Sequence, residues 1–530
     1  MNAPPPHRPG FRAAPAAAAA AAVMAAALVG GSSAHAAERA PGPGGPVLTD
    51  LPAIGTSADS VLTNADEYRI GAMIVRGLRD SGAIVEDPEI AEYVQAVGSR
   101  LASHAQDGGQ RFTFFVVKDP GINAFALPGG FIGINADLVL ATASESELAS
   151  VLAHEIAHVT QRHIARGLEA QGRNSLVSTA AMLAAILLGV VSGNSDIGMA
   201  GVMAGQSAAV QRQINFTRDN EYEADRIGIA TLVAAGFDPH AMGRFFETLG
   251  RRTGSAFQTE NARILEFLQT HPVTSSRVAE ARSRAAQYPT VRPVDTLGYR
   301  LARERLRVLR LPVGADVDAL YADAASADAD SGDHRYYGRG LALIEAGRAP
   351  EAVRIFRDLV RRHPSVVEYH TGLGQALLAA GEPDASREAL AHAKELFPRN
   401  VPVTVRYGQA LLQAGDAKTA HTVLLDLFNV VPPTLDQVRL IALAASSAGE
   451  TAEANYYMAE YHLMSGDLTL GIETLRTALA SPDVTPVQRS RFRARIDELK
   501  EYLPPRLQAA LERGEPLPQP RPEDGVRRGR

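Results

Sequence analysis

The sequence predicts an α+β chain that is mostly helical, with a small β-sheet in its first half and an α-solenoid in its second. Three observations carry that reading. Glycines and prolines recur with a 34-residue period from about residue 333 onward. Short β-rich apolar runs bracket a Leu127-Pro128-Gly129-Gly130 turn. A capped amphipathic helix follows them, with apolar residues at Leu148, Val151, Leu152, Ile156 and Val159.

The period is the most regular of these signals. Gly347, Gly381, Gly415 and Gly449 are 34 residues apart, as are Pro364, Pro398 and Pro432. Gly340, Gly374, Gly408 and Ala442 keep a third small position in step. Small residues let paired helices cross closely and the other glycines turn the chain, which is the tetratricopeptide pattern. Gly466 follows Gly449 by half a period, so helix 452–464 is expected to pair on both sides, with pair 468–480 and 486–500 capping the array. Stacked repeats present a concave surface, so protein or peptide recognition is the expected use of residues 333–502.

In the first half, 64–105 reads as helical, with Tyr93, Val94, Val97 and Leu101 on one face. Phe112 to Val117 reads as a strand, and Asn123–Ala126 with Phe131–Ile134 as a hairpin or two linked edge strands. An edge strand here has two uses: ordinary sheet packing, or strand addition by an extended substrate.

The helix after the sheet contains His154-Glu155-Ile156-Ala157-His158. Residues four apart share a helix face, so His154 and His158 can both reach one metal ion while Glu155 is placed to take a proton from water activated there. Ser144 and Glu147 form a capping box at its start. A catalytic zinc needs a third protein ligand and one open position. Asn220-Glu221-Tyr222-Glu223-Ala224-Asp225 is expected to open a later helix that Gly236 ends. On it Glu221 supplies the ligand and Asp225, four residues on, orients a ligating imidazole. Glu223 points about 200° away from Glu221. The plainer reading of this segment is an acidic first turn that complements the helix dipole.

Composition narrows the field. The 530 residues suggest two or three domains, and a hydrophobic fraction of 46% is ample for their cores. A formal charge of −6 gives no reason to expect nucleic acid. The chain has no cysteine, so disulfides and thiolate-ligated zinc are excluded, leaving His and Glu as ligands for one Zn2+ per chain. Residues 1–36 read as a signal peptide: a basic start, an alanine-rich run, and Ala34-His35-Ala36 as the cleavage site. Residues 37–60 are an extended segment, 61–312 the catalytic domain, 313–332 a linker and 503–530 a disordered tail. The apolar stretch 176–210 has three readings: a buried helical hairpin, a segment in peripheral contact with a membrane or covering the site, or a true span.

With H-E-x-x-H followed by E-x-x-x-D, the chain resembles the metallopeptidase family that includes the CAAX prenyl proteases and the HtpX heat-shock proteases. His271-Pro272-Val273-Thr274-Ser275-Ser276-Arg277 matches a third motif of that family, HPxTxxR. The resemblance implies a helical zincin-type peptidase domain with His154, His158 and Glu221 on zinc, Glu155 as general base, and His271 and Arg277 near the site. Either of the last two could stabilise the oxyanion. Read as sequence alone, His271 is a residue preceding the helix that Pro272 starts. Joined to repeats behind an export signal, the domain is similar to the periplasmic peptidases that serve outer-membrane barrel assembly. That likeness implies proteolysis of unfolded or misassembled outer-membrane proteins, chaperone-like help, and docking of the repeats on the barrel-assembly machinery. Two rivals stand beside it. One is a non-catalytic adaptor whose zinc is closed by His271; the other is an integral membrane protease resting on 176–210.

Overall fold

The computed structural model describes residues 63–105, 110–119, 121–170, 207–254, 271–291, 294–322, 329–430, 433–465 and 467–517. The stretch 1–36 read as a signal peptide, the 37–60 segment and most of the 176–210 stretch lie outside these residues. Among the described residues no helix is long and apolar enough to cross a membrane. Two compact units result, one of 63–85 with 94–295, the other of 86–93 with 296–517.

The first unit begins with α1 (Asn64–Asp80) and α2 (Pro88–Ala102), whose last turns belong to it. A three-stranded sheet follows: β1 (Thr113–Val117), β2 (Ala124–Leu127) and β3 (Phe131–Asn135), in the order β1-β3-β2. The expected hairpin is β2 antiparallel to β3, with Ala124 opposite Ile134, while β1 runs parallel to β3. Its turn depends on glycine: Gly129 and Gly130 have φ of 78° and 82°, and a Cβ on Gly130 would lie 2.2 Å from the Arg111 carbonyl. The outer edge of β1 is covered by 83–85, where Val85 N–H donates to Val116 O at 2.8 Å and Lys118 N–H to Ala83 O at 2.7 Å. Among the described residues, the outer edge of β2 has no partner strand.

α3 (Ala136–Ala141) leads into α4 (Glu145–Thr160), which carries the H-E-x-x-H motif. Ser144 Oγ caps it by accepting from Glu147 N–H at 3.3 Å. The reciprocal half of the expected capping box is shifted by one residue, because the Glu147 carboxylate accepts from Ala143 N–H at 2.7 Å. α4 is buried nearly all round: Leu148, Leu152 and Ile156 are at most 1% exposed, and Glu145, Glu147 and Glu155 are buried with them. Each such aliphatic side chain contributes about 1.5–3 kcal/mol. α4 packs on the sheet, on α6 (Ser207–Ala234) and on α7 (Ala241–Gly254); α5 (His163–Ala170) follows it directly.

α6 corrects the sequence reading. The helix does not open at Asn220 but runs from Ser207, so Glu221 and Asp225 are interior residues. A first-turn dipole role is therefore excluded, since the unsatisfied N–H groups lie more than three turns away. Glu221, Asp225 and Gly228 share the face turned to α4. At Gly228 a Cβ would come within 3.3 Å of His154 N and 3.1 Å of Met242 Cε. Ala157 and Ala224 meet in the same crossing. Gly236, with φ of 76°, ends the next turn as expected.

In the second unit each expected repeat is a helix pair, the first being Ala329–Glu345 with Ala349–Arg362. Gly347, Gly381, Gly415 and Gly449 all have φ between 75° and 82° and close each pair with a left-handed turn. At Gly374 and Gly408 a Cβ would come within 2.5 Å of Leu390 and Leu424. Helix Thr451–Met464 packs on both Leu435–Ser447 and Leu468–Ala480, as its half-period spacing requires. The edges of the unit differ from expectation. Leu301 and Val308 of helix Leu297–Leu309, and Val317 and Tyr321 of the expected linker, lie in the first repeat's core. Residues 503–517 are not a disordered tail: helix Pro505–Glu512 forms there, and Leu503 and Leu517 are buried. Apolar residues too sparse to mark an element by period still found a surface to cover.

The α4–α6 crossing can be checked by stability. Gly228→Val should lower the unfolding free energy by about 1–3 kcal/mol through overpacking. Gly77→Ala on α1, where an added Cβ meets nothing within 4 Å, should raise it by up to ~1 kcal/mol. Urea denaturation of the two variants reads both.

Candidate metal centre

α4 presents His154 and His158 one turn apart, with Nε2 atoms 3.0 Å from each other. α6 brings Glu221 opposite: Oε2 lies 3.4 Å from His154 Nε2 and Oε1 3.4 Å from His158 Nε2. Donors about 2.0–2.2 Å from a tetrahedral ion stand roughly 3.4 Å apart, so these separations match the spacing that a shared ion demands. The donor set, two imidazoles and a carboxylate without sulfur, suits a borderline-soft divalent ion.

Asp225 Oδ1 lies 2.9 Å from His154 Nδ1, the orienting position expected of it. Glu155 is 1% exposed and its Oε1 accepts no hydrogen bond. A buried carboxylate oxygen with no close hydrogen-bond donor calls for an explanation, and a catalytic role is one.

The third motif closes the site. Thr274 caps α8 (Ser275–Ala285) by accepting from Arg277 N–H at 3.3 Å, which aims the Arg277 side chain back at α6. There Arg277 Nε and Nη2 donate to Asp225 at 2.7 and 2.8 Å, and Nη1 to Glu221 Oε2 at 2.7 Å and Pro272 O at 3.0 Å. His271 does more than precede a helix. It is buried, with Nδ1 3.1 Å from both Glu221 oxygens and 3.3 Å from His154 Nε2. Its Nε2 is 3.4 Å from Glu155 Oε1. His154, His158, Glu221 and His271 thus offer four ligand atoms all within 4.8 Å of one another.

One neighbour escaped the sequence reading. His163 Nδ1 is 2.8 Å from His158 Nδ1, and His163 Nε2 is 3.1 Å from Glu223 Oε2, which Arg166 Nη1 also reaches at 3.0 Å. On one continuous helix, residues five apart diverge by about 140°, so spacing alone puts His163 on the wrong face. Arg162, between α4 and α5, has φ of 51° and folds His163 back. The sequence signal that could have pointed here is a third histidine so soon after the motif.

Electrostatics separate the two imidazoles. Burial opposes charge on His154, but Asp225 and Glu221 overcome it and push its pKa up to about 10. At His158 burial dominates and pushes the pKa down to about 3. Burial likewise lowers His163. For Glu221 burial is opposed by His271, Arg277 and the two histidines, which together hold it well below the usual carboxylate range. Arg277 and His154 do the same for Asp225 against its burial.

Comparison with known proteins agrees with this geometry. Residues 88–285 match Peptidase family M48, and residues 337–401 match the tetratricopeptide repeat. The beta-barrel assembly-enhancing protease of Escherichia coli (strain K12) is 32% identical over 452 residues, 85% of this chain and 91% of that one.

This chain belongs to that peptidase family.

The putative beta-barrel assembly-enhancing protease of Vibrio cholerae is 39% identical over 317 residues, 59% of this chain and 64% of the relative's length. A mitochondrial metalloendopeptidase of Arabidopsis thaliana, OMA1, is 31% identical over 169 residues, 32% of this chain and 30% of that one. The protein is therefore a metallopeptidase with tetratricopeptide repeats. Its H-E-x-x-H, E-x-x-x-D and HPxTxxR motifs come from three separate helices and their approaches, and they meet at one point.

Were His154 a metal ligand, a proton on its ring would compete with the ion. Because the pKa of about 10 lies above neutrality, that proton is bound throughout the working range and must leave when metal binds. Apparent affinity for a divalent metal should therefore fall about tenfold for each pH unit lost between about pH 8 and pH 6. Chelator-competition titrations across that range give the slope.

Proposed function

We propose that this peptidase is a periplasmic, zinc-dependent endopeptidase that acts on misfolded or stalled outer-membrane proteins. The repeats dock it on the barrel-assembly machinery, and the same surface lends a chaperone-like role. The single observation that carries the catalytic part is the convergence of His154, His158 and Glu221 beside the buried Glu155 carboxylate. The substrate and location are supported by the names of the relatives and by the export signal read in residues 1–36.

His154, His158 and Glu221 would hold the zinc. Bound there, zinc would polarise the scissile carbonyl and acidify the attacking water. Glu155 takes the proton from that water and delivers it to the leaving amine. Asp225 keeps His154 in the tautomer that leaves Nε2 free. Arg277 is a positioning residue in this reading, since four of its five guanidinium N–H donors are engaged by Asp225, Glu221 and the Pro272 carbonyl. The outer edge of β2 has no partner strand among the described residues, but all four of its residues are buried, so strand addition by an extended substrate would require that edge to be uncovered.

His271 supports a refinement. Its Nδ1 stands at ligand distance from Glu221 and His154, where it can fill the position that water needs. It is anchored by a loop rather than by α4 or α6, so a modest backbone movement opens the site. The same observation favours a second reading, a zinc permanently closed by four protein ligands in an adaptor that does not cleave.

Glu155→Gln should retain zinc and lose about 10²–10⁴-fold in cleavage of an unfolded substrate such as casein. His154→Ala, His158→Ala and Glu221→Ala should lose zinc as well, and Asp225→Ala should weaken its binding by about 10–100-fold. Near-wild-type cleavage by Glu155→Gln would remove Glu155 from the mechanism.

For His271 the informative variant is His271→Ala, with zinc content and basal proteolysis measured together. A several-fold rise in proteolysis at about one zinc per chain identifies a gate. A fall with zinc retained assigns His271 to oxyanion stabilisation, and a fall with zinc lost makes it an obligatory ligand.

A further inference from the structure

His154 and His158 both have to present Nε2 to the metal, and the protein supports them differently. His154 has a carboxylate, Asp225, directly behind its Nδ1. Behind His158 Nδ1, among the described residues, lies another imidazole, His163, at 2.8 Å. An imidazole can accept or donate, so it does not by itself decide which nitrogen of His158 carries the proton. The decision comes from one residue further out.

Glu223 Oε2 lies 3.1 Å from His163 Nε2 and is held by Arg166 Nη1 at 3.0 Å. An ionised carboxylate only accepts, so His163 must carry its proton on Nε2. With Nε2 protonated, the neutral ring has its lone pair on Nδ1. That lone pair faces His158 Nδ1, which must then be the donor, and His158 Nε2 is left unprotonated toward the metal site. The opposite order would set a lone pair of His163 against a carboxylate oxygen and point a His158 N–H at the position of the ion.

The backbone is shaped to make this contact. Arg162 occupies the left-handed region with φ of 51°, a conformation that a non-glycine residue adopts only when its surroundings impose it. Its guanidinium donates to Glu67 Oε1 at 2.9 Å, which ties the turn to α1. α5 then starts at His163, directly under His158.

We propose that His163, aligned by Glu223 and Arg166, is a positioning residue that fixes the tautomer of His158 and so tunes the affinity of the metal site. The proposal rests on His158 being a ligand, the reading given above. It makes the two histidines of the motif independent in their support, one through Asp225 on α6 and one through α5.

The test is zinc affinity, measured by chelator competition on the full chain, alongside the melting temperature of the zinc-free proteins. H163L removes the acceptor and should raise the zinc dissociation constant by about 10–100-fold with little change in melting temperature. H163N places an acceptor oxygen near the Nδ1 position and should stay within about threefold of wild type, which a purely space-filling role would not produce. H163L binding zinc as tightly as wild type would overturn the relay while leaving the metal site intact. Absence of zinc binding by the wild-type protein would instead sink the metal-site reading and the relay with it. Should H163L fail to fold, spectra of ¹⁵N-histidine-labelled wild-type protein read the same chain. A proton on His163 Nε2 alone upholds the relay, and a proton on His163 Nδ1 overturns it.

Discussion

Two carboxylates, Glu221 and Asp225, have to stay ionised in the middle of a packed helix crossing, and the peptidase unit is arranged around that requirement. Both are at most 4% exposed. Burying a lone carboxylate is expensive enough that it would normally protonate instead. Arg277 spans the pair with one guanidinium, and His154 sits between them on the other side. Such an arrangement is strong only while complete, because removing one partner leaves an uncompensated charge out of water. This explains why the third motif needs each of its parts. Thr274, rather than Pro272, caps the start of α8, that start aims Arg277, the Pro272 carbonyl accepts from Arg277 Nη1, and His271 is delivered beside the carboxylates by the same short loop.

The closeness of α4 and α6 follows from small residues rather than from charge. Ala157, Ala224 and Gly228 let the helices approach until Glu221 reaches the histidines. The repeat unit uses the same device on a larger scale, with Gly340, Gly374 and Gly408 under aromatic or leucine side chains of the partner helix. In both units the absence of a Cβ at one position sets the geometry of many side chains around it. The two differ in what the approach serves. In the repeats it buries apolar surface at every period, and in the peptidase unit it assembles a polar cluster whose members are useless apart.

A histidine-rich site of this kind also has to control protons. The neighbouring imidazoles of His154 and His158 are driven in opposite directions, one by flanking carboxylates and the other by burial. His271 adds a third ring at the same centre, held by the loop before α8, with its Nε2 3.4 Å from Glu155 Oε1.

Much of this was legible in the order of residues. The 34-residue period, the H-E-x-x-H helix, the Leu127–Gly130 turn and the pairing of Glu221 with Asp225 are all local regularities, set by helix and strand periodicity and by glycine's access to positive φ. Family likeness added HPxTxxR but not the contacts of its His and Arg. Tertiary structure alone decided the rest. Asn220 looked like a helix start because its acidic neighbours suit a first turn, yet the helix runs back to Ser207. Leu503 and Leu517 looked like tail residues until the last repeat offered them a surface. His163 had the wrong helical phase to meet His158, and only the left-handed Arg162, held by Glu67 on a distant helix, reversed it. Periodicity reports which side of an element a residue faces; it carries no information on where the chain breaks that period, because the energy that stabilises the break comes from residues far away in sequence.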